Sequence, residues 1–329
     1  MSSVTHSAQA RVALHKRNTF AGRNTFAGRV AKRLREAASC WQLYVLLLPA
    51  VAAVALFHYA PFYGIQIVFK NFRSSLGIAG SEWVGLKNFI RFLTYPDFWK
   101  VVTNTLSISL YSLATFPIAV ILALLLNEVR VTWFKKTVQM ITYAPHFIST
   151  VVIVAMLNLF MARSNGLFNN IIAHFGGERI DFLGTASMFN DIYVWSGVWQ
   201  GMGWGSIIYM AALAGVPQEL IEASRIDGAN RIQIVWYINI PTILPTIMTM
   251  LILSTGSVLS VGFEKVYLMQ NSLNLSASRI ISTYVYEMGI GKSQFSYSAA
   301  IGLFNNVVNI IVISLVNALS KRLTKVGLF

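Results

Sequence analysis

Six stretches of this chain run without a single Asp, Glu, Lys or Arg: Trp41 to Tyr59, Val101 to Asn127, Val138 to Met161, Ile192 to Val216, Thr242 to Phe263 and Ala299 to Ser320. Each is near the roughly 20 residues that a helix needs to cross the hydrocarbon core. Inside a bilayer no water bonds the backbone, so a spanning segment must satisfy its own N–H and C=O groups, as a helix does. Six such stretches predict an all-α polytopic membrane protein. Only 12% of the residues are charged, against roughly 25% in a soluble domain. Pro117, Pro145 and Pro245 fall within or at the ends of these spans, where neighbouring helices can satisfy the freed carbonyls. A single cysteine, Cys40, excludes an intrachain disulfide and a Cys-based metal cluster.

Residues 1–40 form a basic cytoplasmic tail. Arg11, Lys16, Arg17, Arg23, Arg29, Lys32, Arg33 and Arg35 stand against Glu36 alone, and Arg-Asn-Thr-Phe-Ala-Gly occurs twice in tandem, at 17–22 and 23–28. Such a composition predicts disorder to about Lys32. No small-x-small site follows the first apolar run, which argues against a secretory signal. Six spans place both termini on one side. With the tail inside, the inner segments hold sixteen of the 26 Lys and Arg residues, as the positive-inside rule requires. The net charge of +14 is then chiefly an orientation signal, and nucleic acid is not an expected partner.

One inner connection departs from this basic pattern. The segment from Glu219 to Pro245 carries Glu219, Glu222 and Asp227 against Arg225 and Arg231. Residues 219–226 have helical character, with Leu220, Ala223 and Ile226 on one side. Asp227-Gly228 is a turn signal, because glycine accepts positive φ. A second helical pattern runs from Ala229 to Ile240, with Asp227 as its expected local cap. Pro241 predicts a break or kink. The result is an elbow of helix, sharp turn and second helix that leads into the fifth span.

This elbow resembles the EAA loop of binding-protein-dependent ABC importer permeases. The family pattern appears as Glu222-Ala223-Ser224, Asp227-Gly228-Ala229, and Pro241 with Pro245; Ser224 stands where alanine is usual. A second stretch, Val84-Gly85-Leu86-Lys87-Asn88-Phe89, is similar to the Val-Gly-Leu-x-Asn-Phe signature of sugar-importer permeases. With Pro61-Phe62-Tyr63-Gly64 it points to the polysaccharide and oligosaccharide subgroup. The resemblance spans 41–329, leaves out the tail, and makes 216–241 the coupling loop.

The resemblance implies the type I importer fold of the maltose-importer permeases, and a non-catalytic subunit in the inner membrane. Its implied partners are a second homologous permease, two cytoplasmic ATPase subunits that bind ATP and Mg, an extracytoplasmic substrate-binding protein and membrane lipid. It implies an oligosaccharide cargo, including acidic, alginate-type fragments. Glu219, Glu222, Ala223, Asp227, Gly228 and Ala229 become the ATPase-coupling residues. A polytopic enzyme such as a lipid-linked sugar transferase, or a permease for a non-sugar solute, are the alternatives.

The spans lack the ionisable side chains that mark proton or sodium pathways, so the driving force is expected to come from a partner. Gly289-Ile290-Gly291-Lys292-Ser293 resembles the end of a phosphate-binding loop, but the pattern needs glycine where Tyr286 stands, so it is set aside. Gly197, Gly201 and Gly205 form a small-residue stripe whose expected role is close helix packing. Trp195, Trp199 and Gln200 offer aromatic faces and an amide suited to sugars, or else serve packing and anchoring. Asn306 and Asn309 with Gly302 share a face of the sixth span, as lining of a polar path or as interhelical bonds. Tyr111, Asn158, Ser254 and Ser257 are weaker candidates, and His146 is expected to serve packing. Reporter tags at residues 1 and 329 should both read cytoplasmic, and an insertion at Gly176 should read external; a cytoplasmic signal at Gly176 would overturn this topology.

Overall fold

The computed structural model describes residues 39–256, 261–324 and 327. The basic tail to residue 38, Ser257 and Lys325 lie outside the described residues. The chain divides into two compact units, residues 1–65 and 66–329.

In the first unit α1 (Trp41–Val54) passes into a π-turn at Ala55–Tyr59, and none of its residues is buried. The second unit begins in a short 3-10 stretch ending at Phe69 and a two-residue antiparallel ladder, β1 (Lys70–Asn71) with β2 (Glu82–Trp83). The Val-Gly-Leu-x-Asn-Phe signature holds this segment in place. Gly85 adopts φ +58°, Val84 N–H donates to the Phe69 carbonyl at 2.8 Å, and Asn88 Nδ2 donates to the Val68 carbonyl at 2.8 Å. The Phe69 ring stacks on Trp83 at 5.6 Å. The fold thereby adds a scrap of sheet to an otherwise helical architecture.

The helices that follow are α2 (Lys87–Leu93), α3 (Phe98–Ala114), α4 (Pro117–Glu128), α5 (Thr132–Tyr143), α6 (Thr150–Phe160), α7 (Leu167–His174) and α8 (Phe189–Ala214). They continue with α9 (Gln218–Ile226), α10 (Arg231–Ile234), α11 (Ile240–Thr255), α12 (Phe263–Met269), α13 (Ile281–Tyr286) and α14 (Phe295–Thr324). Helix α8 packs against α3, α4, α5 and α11 and is the hub of the bundle. One apolar cluster joins α2, α3, α13 and α14 through Phe92, Phe98, Tyr284 and Ile301. A second joins α3, α6, α8 and α12 through Ile108, Val154, Ile192 and Val266. A third joins α4, α8 and α11 through Leu124, Tyr209 and Ile243.

Among the described residues four helical stretches are long and apolar enough to span: Trp41–Phe69, Phe98–Glu128, Arg231–Thr255 and Phe295–Arg322. Helix α8 has 26 residues, but its Trp, Gly and Gln content lowers its hydropathy, and it is not among these four. The third expected span is not one straight helix. The chain bends by 101° between Thr132–Phe147 and Thr150–Phe160. Pro145 lacks an N–H and its ring obstructs the preceding turn, and a 3-10 turn at Ala144–Phe147 carries the chain to the corner. Ser149 restarts the helix as an N-cap, accepting from Val152 N–H.

The corner is clamped onto α8. His146 stacks on Trp204 with centroids 4.5 Å apart and planes 3° from parallel, which matches its expected packing role. Gly203 faces the end of α5 so closely that a Cβ there would sit 2.1 Å from the Thr142 carbonyl oxygen. Gly201, two residues away, has nothing within 4 Å of its Cβ position. Gly203→Ala should therefore destabilise the purified protein by at least about 1–3 kcal/mol, the usual cost of overpacking. Gly201→Ala should leave the thermal midpoint unchanged, and equal midpoints for the two variants would contradict the close approach.

Candidate functional site

The elbow folds as its local chemistry dictates. Helix α9 follows Pro217, and Glu219 in its first turn suits the positive end of the helix dipole. Its end is a Schellman motif: Gly228 N–H donates to the Arg225 carbonyl at 3.1 Å and Ala229 N–H to the Ser224 carbonyl at 2.9 Å. Gly228 sits at φ +82°, the left-handed conformation expected of it. The cap of the second helix is not Asp227. Asn230 fills that place in a capping box: its Oδ1 accepts from Gln233 N–H at 2.9 Å, and Gln233 Oε1 accepts from Asn230 N–H at 2.8 Å. Asp227 closes the first helix instead.

Pro241 does not break the chain either. A π-turn at Val235–Asn239 precedes it, and α11 runs on through Pro245 as part of the continuous stretch Arg231–Thr255. The wider turn accommodates a residue that offers no N–H to the ladder.

The apolar face of α9 points outward. Leu220 is 51% exposed and Ile226 88%, and Ala223 is exposed between them, while Ile221 and Ser224 turn inward. Glu219 and Glu222 are also exposed, and Glu222 Oε1 accepts from Gln218 Nε2 at 3.2 Å. Behind the elbow a cleft of about 630 Å³ is bordered by Glu128, Arg130, Arg225, Asn230 and Arg231.

Within the bundle, a cavity of about 430 Å³ opens between α3, α4, α8 and α11. Gly197, Gly201 and Gly205 form its α8 wall, together with Tyr193 and Tyr209. The stripe both packs and opens: a Cβ at Gly205 would lie 3.3 Å from the Ala119 Cβ and one at Gly197 3.4 Å from Lys265 Nζ, as close packing requires, while Gly201 has nothing within 4 Å of its Cβ position. Ser109, Ser112, Thr115 and Ser254 bring hydroxyls to the opposite walls.

The other candidates are divided by α8. Trp195 and Trp199 stand on its far face, against an apolar hollow shared with Met156, Leu157 and Phe168 of α6 and α7. Trp195 Nε1 donates to the Tyr111 hydroxyl at 2.9 Å. Gln200 Nε2 donates to the Ile148 carbonyl at 3.0 Å, satisfying backbone left open at the corner. On α14, Asn306 is exposed and Asn309 buried, and neither borders the cavity. Asn158 is exposed on α6. The expected path of Trp199, Gln200, Asn306 and Asn309 is thus not brought together around one space.

Sequence reasoning missed Lys265. It sits on α12, outside the spans, with 8% of its surface accessible. Its Nζ donates to the Tyr193 carbonyl at 3.0 Å and lies 4.9 Å from the centroid of the Tyr193 ring. Burial pushes its ammonium down to about 8. The sequence shows only an adjacent Glu264-Lys265 pair in Gly262-Phe263-Glu264-Lys265-Val266, a pattern that reads as ordinary exposed charge. Lys292, in the discarded loop-like stretch, pairs with Glu287 at 2.9 Å, and Glu287 also binds Arg279.

Residues 115–325 match the family profile described as binding-protein-dependent transport system inner membrane component. The chain is 43% identical, over 87% of its length and 90% of the relative, to the polygalacturonan/rhamnogalacturonan transport system permease protein YteP of Bacillus subtilis (strain 168). It is 45% identical to Protein LplB of the same organism, over 87% of this chain and 91% of that one. Among solved structures it resembles a chain of a bacterial alginate ABC transporter in complex with alginate pentasaccharide-bound periplasmic protein. The TM-score is 0.83 at 34% identity, covering 89% of this chain and 99% of that one.

Replacing Asn230 with Ala should cost the second elbow helix roughly 1 kcal/mol, seen as about fivefold faster amide hydrogen exchange at Gln233. Asp227→Ala should leave that exchange unchanged; the reverse result would restore Asp227 as the cap.

Proposed function

The chain belongs to the family of binding-protein-dependent transport system inner membrane components, and we propose that it moves oligosaccharides, including uronate-bearing ones, by alternating access driven from its elbow. As a member of that family it is a multi-pass membrane protein and a transport component, which removes the ground for a lipid-linked sugar transferase. The uronate reading draws on the relatives, whose names refer to polygalacturonan, rhamnogalacturonan and alginate. A non-sugar cargo finds no comparable support.

The rest of the assembly follows from the same reading. Helix α8 serves as a membrane span beside the five other spanning segments, and both termini lie in the cytoplasm. A second permease pairs with this one, two ATPase subunits bind ATP and Mg from below, and a binding protein delivers cargo from outside. This chain holds no nucleotide and supplies no covalent chemistry. Its cargo path is the cavity lined by the α8 glycines. Serine and threonine hydroxyls meet sugar hydroxyls there, and the open position at Gly201 leaves room for a ring. Trp195, Trp199, Gln200, Tyr111, Asn158, Asn306 and Asn309 shape the helices around it and its approaches.

One observation carries the coupling role: Leu220, Ala223 and Ile226 present an apolar stripe to solvent on a segment flanked by Glu219 and Glu222. An apolar stripe left outside the fold and edged with carboxylates suits a partner groove with an apolar floor and a basic rim. The capping box and Schellman motif make the elbow stiff. The continuous run from Arg231 to Thr255 carries its displacement to Ser254 at the cavity.

Glu222→Ala and Gly228→Val should leave the permease inserted while weakening ATPase association or uncoupling hydrolysis from uptake. The glutamate loss should cost little if its partner is exposed, and on the order of 3–5 kcal/mol if the pair is well buried. Valine at 228 is strained at positive φ. Ser224→Ala should be nearly silent. Co-purification of the ATPase, read beside oligosaccharide uptake in membranes, tests this; full association and full uptake in both variants would remove the elbow from coupling.

A further inference from the structure

Among the described residues Lys265 is the only charged side chain that the fold buries. Buried cations are ordinarily paired, because an ammonium loses far more hydration than one neutral hydrogen bond returns. Here one donor meets the Tyr193 carbonyl and the ring of the same tyrosine lies beside it. Among the described residues no carboxylate lies within ion-pair distance of Nζ. An ammonium carries three donors, so the described residues leave this one under-compensated.

Its position gives that deficit a direction. Tyr193 and Gly197, which stand against the ammonium, both line the bundle cavity. A Cβ on Gly197 would lie 3.4 Å from Nζ, so the charge stands behind a wall position that has no side chain. The lining itself is made of hydroxyls, glycines and apolar groups, with no charged side chain. In such a low-dielectric wall one fixed positive charge dominates the local potential.

We propose that Lys265 is the charge-selecting residue of the transport cavity, drawing the carboxylate of a uronate-bearing oligosaccharide to the Gly197 face of α8. The proposal rests on the reading that this cavity carries oligosaccharide. It assigns to one side chain the preference for acid over neutral sugar. A carboxylate arriving at Gly197 would supply the counter-charge that no described residue supplies, and its departure would leave the site as found.

The test uses the whole complex, permease pair with ATPase and binding protein, in liposomes at pH 7. Uptake is measured for trigalacturonate and for its fully methyl-esterified form. Lys265→Met keeps the length and removes the charge, and exchanging an uncompensated buried ion for an apolar group is not expected to harm folding. Co-purification of the subunits checks assembly. The expected result is a loss of tenfold or more in trigalacturonate uptake for Lys265→Met, with restoration to within threefold for Lys265→Arg. Ester uptake, measured in parallel, should not fall in proportion. Trigalacturonate uptake by Lys265→Met within twofold of wild type would overturn the proposal and leave the oligosaccharide reading standing. So would equal proportional losses for acid and ester, or failure of arginine to restore the acid. A wild-type complex that carries neither compound would instead sink the cargo reading itself, and this proposal with it.

Discussion

The contact between the Gly203 backbone and the Thr142 carbonyl is the point on which the inner half of the bundle depends. Only a residue without a Cβ lets the end of α5 reach α8 that closely. Because it does, His146 can lie flat on Trp204, and Gln200 can reach the carbonyl of Ile148 across the corner. Those three contacts hold the 101° bend that a proline and a 3-10 turn make available but do not aim. The bend in turn sends α6 away to pack on α12, which brings Lys265 beside Tyr193. A backbone-to-backbone contact near the middle of α8 is thereby linked to the charge at the cavity wall.

Helix α8 reads differently on its two sides. On one side aromatic rings and an amide fasten it to the bent pair; on the other Gly205 lets α4 approach and Gly201 leaves room. The elbow divides in a related way. Its turn is locked by backbone hydrogen bonds and a capping box, while its apolar residues face outward. Rigidity inside and unsatisfied surface outside are what an element needs if force is to pass through it rather than be absorbed.

Polar side chains also build the loops at the other end of the bundle, where the sequence carried no obvious pattern. Asn169 is fully buried and spans its loop, donating to the Ala162 and Ile180 carbonyls and accepting from Ile180 N–H. Asn274 does similar work between Leu183 and Met269. Each amide satisfies several backbone groups at once, which lets irregular chain sit against the helices without orphaned donors. An asparagine on the short helix α7 and one in a loop set up no periodicity, so nothing in the sequence distinguished them from surface residues.

Local and compositional properties were legible from the chain alone. Apolar runs without charge gave the helical membrane architecture, because a bilayer admits few alternatives. Asp227-Gly228 gave the turn and its positive φ, because glycine is the residue that reaches it without strain. The family resemblance lay in residues close together in sequence, where order is visible. Tertiary contacts decided the rest. Asn230 rather than Asp227 caps the second elbow helix, since both are capping residues and only the turn geometry chooses. A π-turn accommodates Pro241, so the helix is distorted there but not broken. Small residues spaced by four suit close packing and open space equally, and the neighbours of α8 determined that Gly205 touches while Gly201 does not. Lys265 is buried by helices distant in sequence, so its environment, and the chemistry that follows from it, belongs to the fold.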